Sequence, residues 1–307
     1  MNVDWVAGSV RARAMTRRRL GRPAVRDLAA SPSVEAALSA LAHTPYGHDI
    51  RPDHTLAEAQ RAVVDTVLWN LRVLAGWVPR EGVTILRLLV GAAEAANTED
   101  HLQKLAGAEP PSPYRLGGLA TAWPRLARTT RVDELCRVLA TSPWGDPGGE
   151  TPRDVGLAMR TVLADRTIAA VPAAGAWAAG ATALLVARVV LLDHRELRPH
   201  ARIAATRVVG PAAVSAHTLP ELIAALPTSA RWALADVQEP TDLWQAEARW
   251  WTRVERDGHA LVRRATAGPE MLVGAVAMMA TDAWRVRAAL ELASRGGAPM
   301  ELFDAVA

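Results

Sequence analysis

Cysteine, lysine and two of the three aromatic residue types are scarce in this sequence. Its 307 residues include one cysteine, one phenylalanine and two tyrosines, and Lys104 is the sole lysine. A lone Cys136 excludes an intramolecular disulfide and a cysteine-based metal site, and it favours a reducing compartment. Because the formal net charge is only +3, nucleic-acid binding driven by charge alone is not expected.

Sequence patterns of catalysis and secretion are also missing. There is no G-x-x-x-x-G-K-[ST] loop for nucleotide phosphates and no G-x-S-x-G turn for a nucleophilic serine. Residues 2–29 contain arginines without the adjoining apolar segment of a signal peptide. We therefore expect no catalytic residues, no cofactor, no metal and no small-molecule substrate.

Helical patterns dominate what is present. Thr55-Leu56-Ala57-Glu58 has the sequence of a capping box, and an apolar stripe at helical spacing follows it up to Leu74. Thr151 is placed to cap a further helix, and Thr218-Leu219-Pro220-Glu221 has the sequence of a second capping box. A long helix is predicted from about Thr241, with Trp244 and Trp251 on its buried side. Because runs of period two are absent, the sequence predicts an all-α protein.

One short phrase recurs along the chain. Leu41–Gly47 (Leu-Ala-His-Thr-Pro-Tyr-Gly) returns 98 residues later as Leu139–Gly145 (Leu-Ala-Thr-Ser-Pro-Trp-Gly), and a weaker copy, Leu226–Trp232, follows after 87 more. Each copy reads as the end of a short amphipathic helix and a turn that carries an aromatic residue. Internal repeats of this length indicate a scaffold built from copies of one supersecondary unit.

Proline and glycine mark the boundaries between the copies. Gly107–Pro113 is the clearest linker, whereas the junction near residues 198–203 is weaker, so a helix could continue across it. We predict three helical domains, covering residues 1–112, 113–200 and 201–307.

The most apolar stretch, Thr167–Leu192, contains a single charge, Arg188. It is long enough to span a membrane. Its richness in alanine and glycine and its breaks at Pro172 and Gly175 favour two helices that meet at a turn, the second of them buried.

Three features together carry a resemblance to a known family. They are the opening helix Val10–Arg17, the repeated phrase at Leu41–Tyr46 and Leu139–Trp144, and a degenerate Asp-x-x-Asn-like phrase predicted at the opening of each final helix. The candidates for that phrase are Asn97–Asp100, Asp193–Glu196 and Asp282–Arg285. On these residues the chain resembles the C subunit of archaeal and bacterial V-type (A-type) rotary ATPases, the counterpart of the eukaryotic V-ATPase d subunit.

The resemblance implies three similar helical domains arranged as a funnel with pseudo-threefold symmetry. Such a subunit rests on the membrane proteolipid ring, holds the foot of the central stalk and transmits torque for ion transport. It would be cytoplasmic and peripheral on the inner face of the cell membrane. The partner-contact residues expected on this basis are Arg11, Arg13, Arg17, Asn97, Asp100, Asp193, Trp250 and Asp282.

Other interpretations remain open. The arginines of the first helix could form a solvated face, or could contact an acidic partner or lipid headgroups. A polar cluster could bind a divalent metal in a helical enzyme or could simply be a solvated turn; its members are His43, His48, Asp49, Asp53 and His54. The repeats could also form an interaction scaffold unrelated to rotary ATPases.

Overall fold

The computed structural model describes residues 3–297, and within that range it contains helices and no β-strand, which confirms the predicted all-α class. In chain order the α-helices are α1 (Val6–Thr16), α2 (Arg22–Ala29), α3 (Val34–Ala42), α4 (Leu56–Ala75), α5 (Arg80–Leu89), α6 (Gly91–Leu105), α7 (Trp123–Leu126), α8 (Val132–Ala140), α9 (Pro152–Ala170), α10 (Gly175–Ala187), α11 (Pro199–Val209), α12 (Pro211–Val214), α13 (Leu219–Ala225), α14 (Thr228–Arg231), α15 (Leu243–Arg264) and α16 (Pro269–Ala293). Short 3-10 helices lie between several of them.

The chain divides into two compact units. The first unit comprises Met1–Val83 and Trp251–Ala307, and the second unit comprises Thr84–Trp250. The boundaries between the units fall inside α5 and α15. The division into three domains stays a prediction.

In the first unit, helix α16 is central. It contacts α1, α2, α3 and α4, and most of its side chains are buried, as is typical of a helix that is apolar on nearly all sides. Two glycines, Gly258 on α15 and Gly274 on α16, allow these helices to approach closely. A methyl group at Gly258 would lie 3.0 Å from the Ala277 Cβ atom, and one at Gly274 would lie 2.8 Å from the Gly258 carbonyl oxygen. The C-terminal helix therefore forms the core around which the N-terminal helices pack.

In the second unit, helix α9 holds the central position and contacts α6, α10 and α11. One apolar cluster joins α6, α8 and α9 around Trp144, and a second, larger cluster joins α9 to α10 and the helices that follow. Each compact unit thus has its own buried core.

The predicted caps are largely confirmed. Thr55 and Glu58 form a complete capping box at the start of α4, and the Thr151 hydroxyl oxygen accepts the N–H of Asp154 at 3.1 Å. The Thr218 hydroxyl oxygen accepts the N–H of Glu221, while the Glu221 carboxylate instead accepts the N–H of His217. The start of three helices was therefore correctly predicted from local sequence.

The apolar stretch folds as two helices separated by a turn, as the sequence favours: α9 ends at Ala170 and α10 begins at Gly175. Pro172–Leu192 is long and apolar enough to cross a membrane by length and composition, and half of its most apolar window is buried inside the protein. Its last five residues, Arg188–Leu192, form a π-helical turn. His194, shortly after this turn, has a positive φ of 52°.

Two local predictions are wrong. The Asp-x-x-Asn-like phrase does not open any helix: Asn97 lies inside α6, Asp193 follows the π-helical turn, and Asp282 lies inside α16. Trp244 is not a core residue but is 45% exposed near the start of α15. Helical spacing alone did not distinguish the buried side of α15 at its first turn from its exposed side.

Candidate partner interface

The structure distributes the predicted partner-contact residues over both units. Arg11, Arg13, Arg17 and Asp282 belong to the first unit, and Asn97, Asp100, Asp193 and Trp250 belong to the second.

The arginines of α1 differ in what they contact. Arg11 lies over the indole of Trp77, with its guanidinium carbon 5.1 Å from the ring centroid, and Trp77 is 51% exposed. Arg13 donates to the backbone carbonyl of Ala265 at 2.8 Å, which ties α1 to the residue after α15. Arg17 is exposed just beyond the end of α1. Arg11 and Arg17 therefore present charge at the surface, while Arg13 also supports the fold.

Asp282 is an internal residue rather than a surface contact, being only 2% exposed. Its carboxylate accepts a hydrogen bond from the Tyr46 hydroxyl at 2.8 Å and from the backbone N–H groups of Leu20 and Gly21, each at 2.9 Å. Burial raises the pKa of Tyr46 well above its usual value, and the nearby charge of Asp282 adds to this effect. Tyr46 therefore remains a neutral donor to a buried carboxylate.

The second unit repeats this arrangement with different residues. Glu94, 1% exposed, accepts the indole N–H of Trp144 at 3.0 Å. It also accepts the backbone N–H groups of Thr121 and Ala122 at 2.6 Å and that of Trp123 at 2.9 Å. We refer to Tyr46–Asp282 and Trp144–Glu94 as the two aromatic–carboxylate contacts. In both of them one buried acid joins a repeat turn to the start of a short helix.

The turns that position these two aromatic residues are bonded alike. The Thr44 hydroxyl donates to the Leu41 carbonyl at 2.7 Å and accepts the N–H of Tyr46 at 3.2 Å. Ninety-eight residues later, the Ser142 hydroxyl donates to the Leu139 carbonyl at 2.7 Å and accepts the N–H of Trp144 at 3.1 Å. The repeated phrase is thus a repeated structure.

The third copy of the phrase also carries an aromatic residue, Trp232. Trp232 donates its indole N–H to the Ser229 carbonyl at 2.8 Å, and its ring covers Gly180, where a methyl group would lie 2.7 Å from the Trp232 Cζ2 atom. The ring of Trp144 lies against Gly91 in the same way, three residues before Glu94. The corresponding position after Gly180 is the buried Ala183. The position that corresponds to Glu94 is therefore an alanine in the third copy.

Asn97 and Asp100 lie on α6 beside the proline-rich linker. The buried Asn97 amide accepts the N–H of Tyr114 at 2.7 Å and donates to the carbonyl of Tyr114 at 2.9 Å. Asp100 lines a cavity of about 400 Å³ together with Asn97, Lys104 and the linker prolines. Asn97 thus holds the end of the linker in place.

Asp193 and Trp250 also have partners within the second unit. Asp193 forms an ion pair with Arg153. The Trp250 indole N–H donates to the carbonyl of Trp177 at 2.9 Å. Both side chains have structural roles, so their presence in the sequence is explained without a partner protein.

A buried charge cluster in the first unit was missed from the sequence. Arg285 donates to both carboxylate oxygens of Glu255, at 2.6 and 2.8 Å, and Arg22 donates at 3.0 Å. Burial by itself would raise the pKa of Glu255, but the bonds from Arg285 and Arg22 outweigh it and lower this pKa to about 2. No local sequence pattern joins these residues, which lie far apart along the chain.

Glu94 was also missed, although a signal for it exists. Glu94 and Asn97 are three residues apart on one face of α6, and Asp282 and Arg285 share that spacing on α16. Glu94-x-x-Asn97 therefore has the acid and the amide of the expected phrase, and it begins three residues before the segment Asn97–Asp100 that was chosen from the sequence.

The polar cluster around His48 forms local contacts. The His48 Nδ1 atom lies 2.8 Å from the Asp49 carboxylate, and its ring stacks on Trp69 with centroids 4.1 Å apart. Within residues 3–297 no group of three or more histidine, cysteine, aspartate or glutamate side chains is arranged to hold a metal ion.

The half-buried Cys136 thiol lies 3.8 Å from the Gly149 carbonyl, and burial raises the pKa of this thiol.

A search with this chain found no matching protein-family model and no match among curated proteins.

Proposed function

We propose that this chain is a non-catalytic central-rotor adapter of a V-type (A-type) rotary ATPase. In this role three similar helical domains form a funnel with pseudo-threefold symmetry, which links the central stalk to the membrane proteolipid ring. The subunit transmits torque for ion transport, is cytoplasmic and is peripheral on the inner face of the cell membrane. It has no catalytic residue or cofactor of its own.

The pair of aromatic–carboxylate contacts is the observation that supports this function best. The turns that carry the family resemblance are the same turns that place Tyr46 and Trp144 on buried acids. A buried carboxylate with several donors, all of them satisfied, makes the polar network rigid and specifies one packing arrangement. Stiff repeated modules suit a subunit that transmits torque.

The surface side chains suggest where partners bind. Arg11 on α1 lies over the exposed Trp77, and Arg17 adds a further exposed positive charge just beyond the end of α1. Arginine and tryptophan are enriched among residues that dominate binding energy at protein interfaces. We propose this face as the contact with an acidic partner subunit, whereas Asp282 and Asn97 act indirectly by holding the modules together.

Co-purification tests the proposal. The tagged chain, expressed together with the proteolipid and central-stalk subunits encoded in the same genome, is expected to recover both from gently solubilised membranes. An Arg17→Glu variant is expected to recover less of them than an Arg128→Glu variant, which makes the same charge change at an exposed site of the second unit. Recovery of neither subunit, with all of them expressed and the chain folded, contradicts the proposal.

A helical-repeat interaction scaffold is the second candidate. It is favoured by the third copy of the phrase, because the position that corresponds to Glu94 is the buried Ala183 and the repeat is therefore not exact. A low-resolution envelope separates the two candidates: a closed three-lobed shape favours the adapter, and an open superhelix favours the scaffold. Neighbouring genes for V-type catalytic, stalk and ring subunits would also favour the adapter.

A further inference from the structure

The second unit contains an arginine-lined groove that none of the predicted contact residues occupies. Two cavities, of about 480 and 550 Å³, share Arg195, Glu196, Leu197 and Arg202 in their walls. These four residues run from the segment before α11 into its first turn, and both cavities border them. We call the two cavities together the α11 groove.

Positive charge exceeds negative charge in this groove. Arg195 and Arg198 both face the single buried carboxylate of Asp154, at 3.3 and 3.7 Å. Arg202 donates to the Ser215 hydroxyl at 3.2 Å and has no carboxylate partner among the described residues. Glu196 is the acid that lines both cavities, and Asp154, which lines neither of them, is the second carboxylate near these arginines. Three guanidinium groups are therefore set against two carboxylates.

A second cavity in the same unit, of about 340 Å³, differs from the α11 groove in how its arginines are paired. Its walls also contain three arginines, but each of these has its own acid: Arg153 pairs with Asp193, Arg160 with Glu99 and Arg188 with Glu247. Every arginine in the walls of this cavity is therefore neutralised by an acid of its own. In the α11 groove the charge is left unbalanced and exposed to solvent.

The groove also offers apolar surface. Leu197, Val214 and Ala216 are buried in its walls, while Ile203 at its edge is 53% exposed, more than any other isoleucine or leucine of the described chain. Arg202 and Ile203 both point outward on α11. A ligand that fits must therefore combine negative charge with at least one apolar group.

The groove is shaped before any ligand arrives. The π-helical turn Arg188–Leu192 contributes Val190 to its wall, and His194 in the same wall has a positive φ of 52°. A non-glycine residue in that region is disfavoured by roughly 1–3 kcal/mol and persists where the surrounding structure fixes it. π-helical turns also occur frequently at functional sites.

We propose that the α11 groove binds an extended acidic peptide segment of a partner protein. Carboxylates of the segment pair with Arg202 and Arg198, and an apolar side chain covers Ile203, which is a mode of acidic-motif recognition by arginine clusters. A free phosphate would leave the apolar surface uncovered. A uniformly anionic lipid surface would meet Glu196, whereas a peptide can place a neutral or basic residue there.

Fluorescence anisotropy with the full chain tests this proposal. The probe is a labelled peptide of alternating glutamate and leucine, and its partner probe has every glutamate replaced by glutamine. We expect the glutamate peptide to bind at least about tenfold more tightly, and Arg202→Glu to weaken its binding by about tenfold or more. Raising the salt concentration should weaken the same binding because the charges are exposed.

Matched variants keep the test specific. Arg128→Glu makes the same charge change at an exposed residue outside the groove, so it should leave peptide binding nearly unchanged, and circular dichroism checks that both variants are folded. Equal binding of the two peptides, no binding, or equal loss in both variants overturns the proposal. So does binding to anionic phospholipid vesicles or inorganic phosphate, but not to the peptide, that depends on Arg202. None of these outcomes bears on recovery of ring and stalk subunits, so the rotor proposal is tested separately.

Discussion

The two aromatic–carboxylate contacts share one turn but depend on different surroundings. In the first unit, the residue one turn beyond Asp282 is Arg285, which forms a buried ion pair with Glu255. In the second unit, the residue one turn beyond Glu94 is Asn97, a neutral amide that binds the backbone of Tyr114. The same geometry is therefore supported by charge in one unit and by an uncharged side chain in the other.

This difference shows that a repeated turn does not dictate the chemistry behind it. A buried ion pair is sensitive to acid and to the loss of either partner, because an uncompensated buried charge is costly. A neutral amide is insensitive to pH and loses only its hydrogen bonds. We therefore expect the two units to respond differently to the same kinds of change.

The largest expected effect is that of Trp144→Ala. Removing this buried indole leaves a cavity and takes a donor from Glu94, so the free energy of unfolding should fall by about 3–5 kcal/mol in urea denaturation. Trp244→Ala is the matched control, because Trp244 is 45% exposed, and it should change stability by less than about 1 kcal/mol. Similar losses for the two variants would show that the Trp144 contact is not a main support of the second unit.

Substitution of the residue one helical turn beyond each buried acid should affect the stability of the two units to different extents. Arg285→Met leaves Glu255 buried with Arg22 as its closest remaining cation, and should reduce stability by about 3–5 kcal/mol. Asn97→Ala removes two hydrogen bonds to Tyr114 and should reduce stability by about 1–3 kcal/mol. The comparison fails if Asn97→Ala is the more damaging of the two when both are unfolded in urea at neutral pH.

Acid should destabilise the first unit through Glu255. Its pKa in the folded protein is about 2, below the ordinary value of 4.5, so its contribution to stability is present above 4.5 and is lost as the pH falls towards 2. The total loss is on the order of 3 kcal/mol. Glu255→Gln should flatten this part of the pH dependence. Hydrogen exchange can locate this loss of stability. If protection against exchange is lost in α9 and not in α16 over this pH range, the acid-sensitive group lies in the second unit and the prediction is wrong.

The smallest expected effect concerns the third copy. Gly180→Ala brings a methyl group to within 2.7 Å of Trp232 and should destabilise the protein by about 1–3 kcal/mol. Gly175→Ala, on the same helix with nothing within 4 Å and a helical φ of −58°, should stabilise it by about 0.4–1 kcal/mol. Thermal unfolding followed by circular dichroism measures both. Stabilisation by Gly180→Ala would mean that Trp232 does not pack against α10 as described.

Local rules accounted for the features of the fold that depend on neighbouring residues. The caps at Thr55 and Thr151 and the turn between α9 and α10 were predictable because the groups that form them are close in sequence. The repeated turns were predictable for the same reason, since Thr44 and Ser142 bond residues only two or three positions away.

Long-range pairing could not be predicted. Glu255 and Arg285 lie on different helices, and Arg22 is over two hundred residues away, so no periodicity joins them. Asp282 was predicted as a partner contact but is buried, because a carboxylate in a short degenerate motif does not reveal whether it faces solvent or a tyrosine. The α11 groove was missed because it depends on which arginines lack their own acids, and that is decided only by packing.

The distance along the chain between Tyr46 and Asp282 bears on how the protein is made. The two residues are separated by 236 positions, whereas Trp144 and Glu94 are separated by only 50. During synthesis the second contact can close soon after Trp144 emerges from the ribosome. The first contact must wait for the C-terminal helix, so the first turn to be translated is completed last. Until then the N-terminal helices lack the helix that covers their apolar faces.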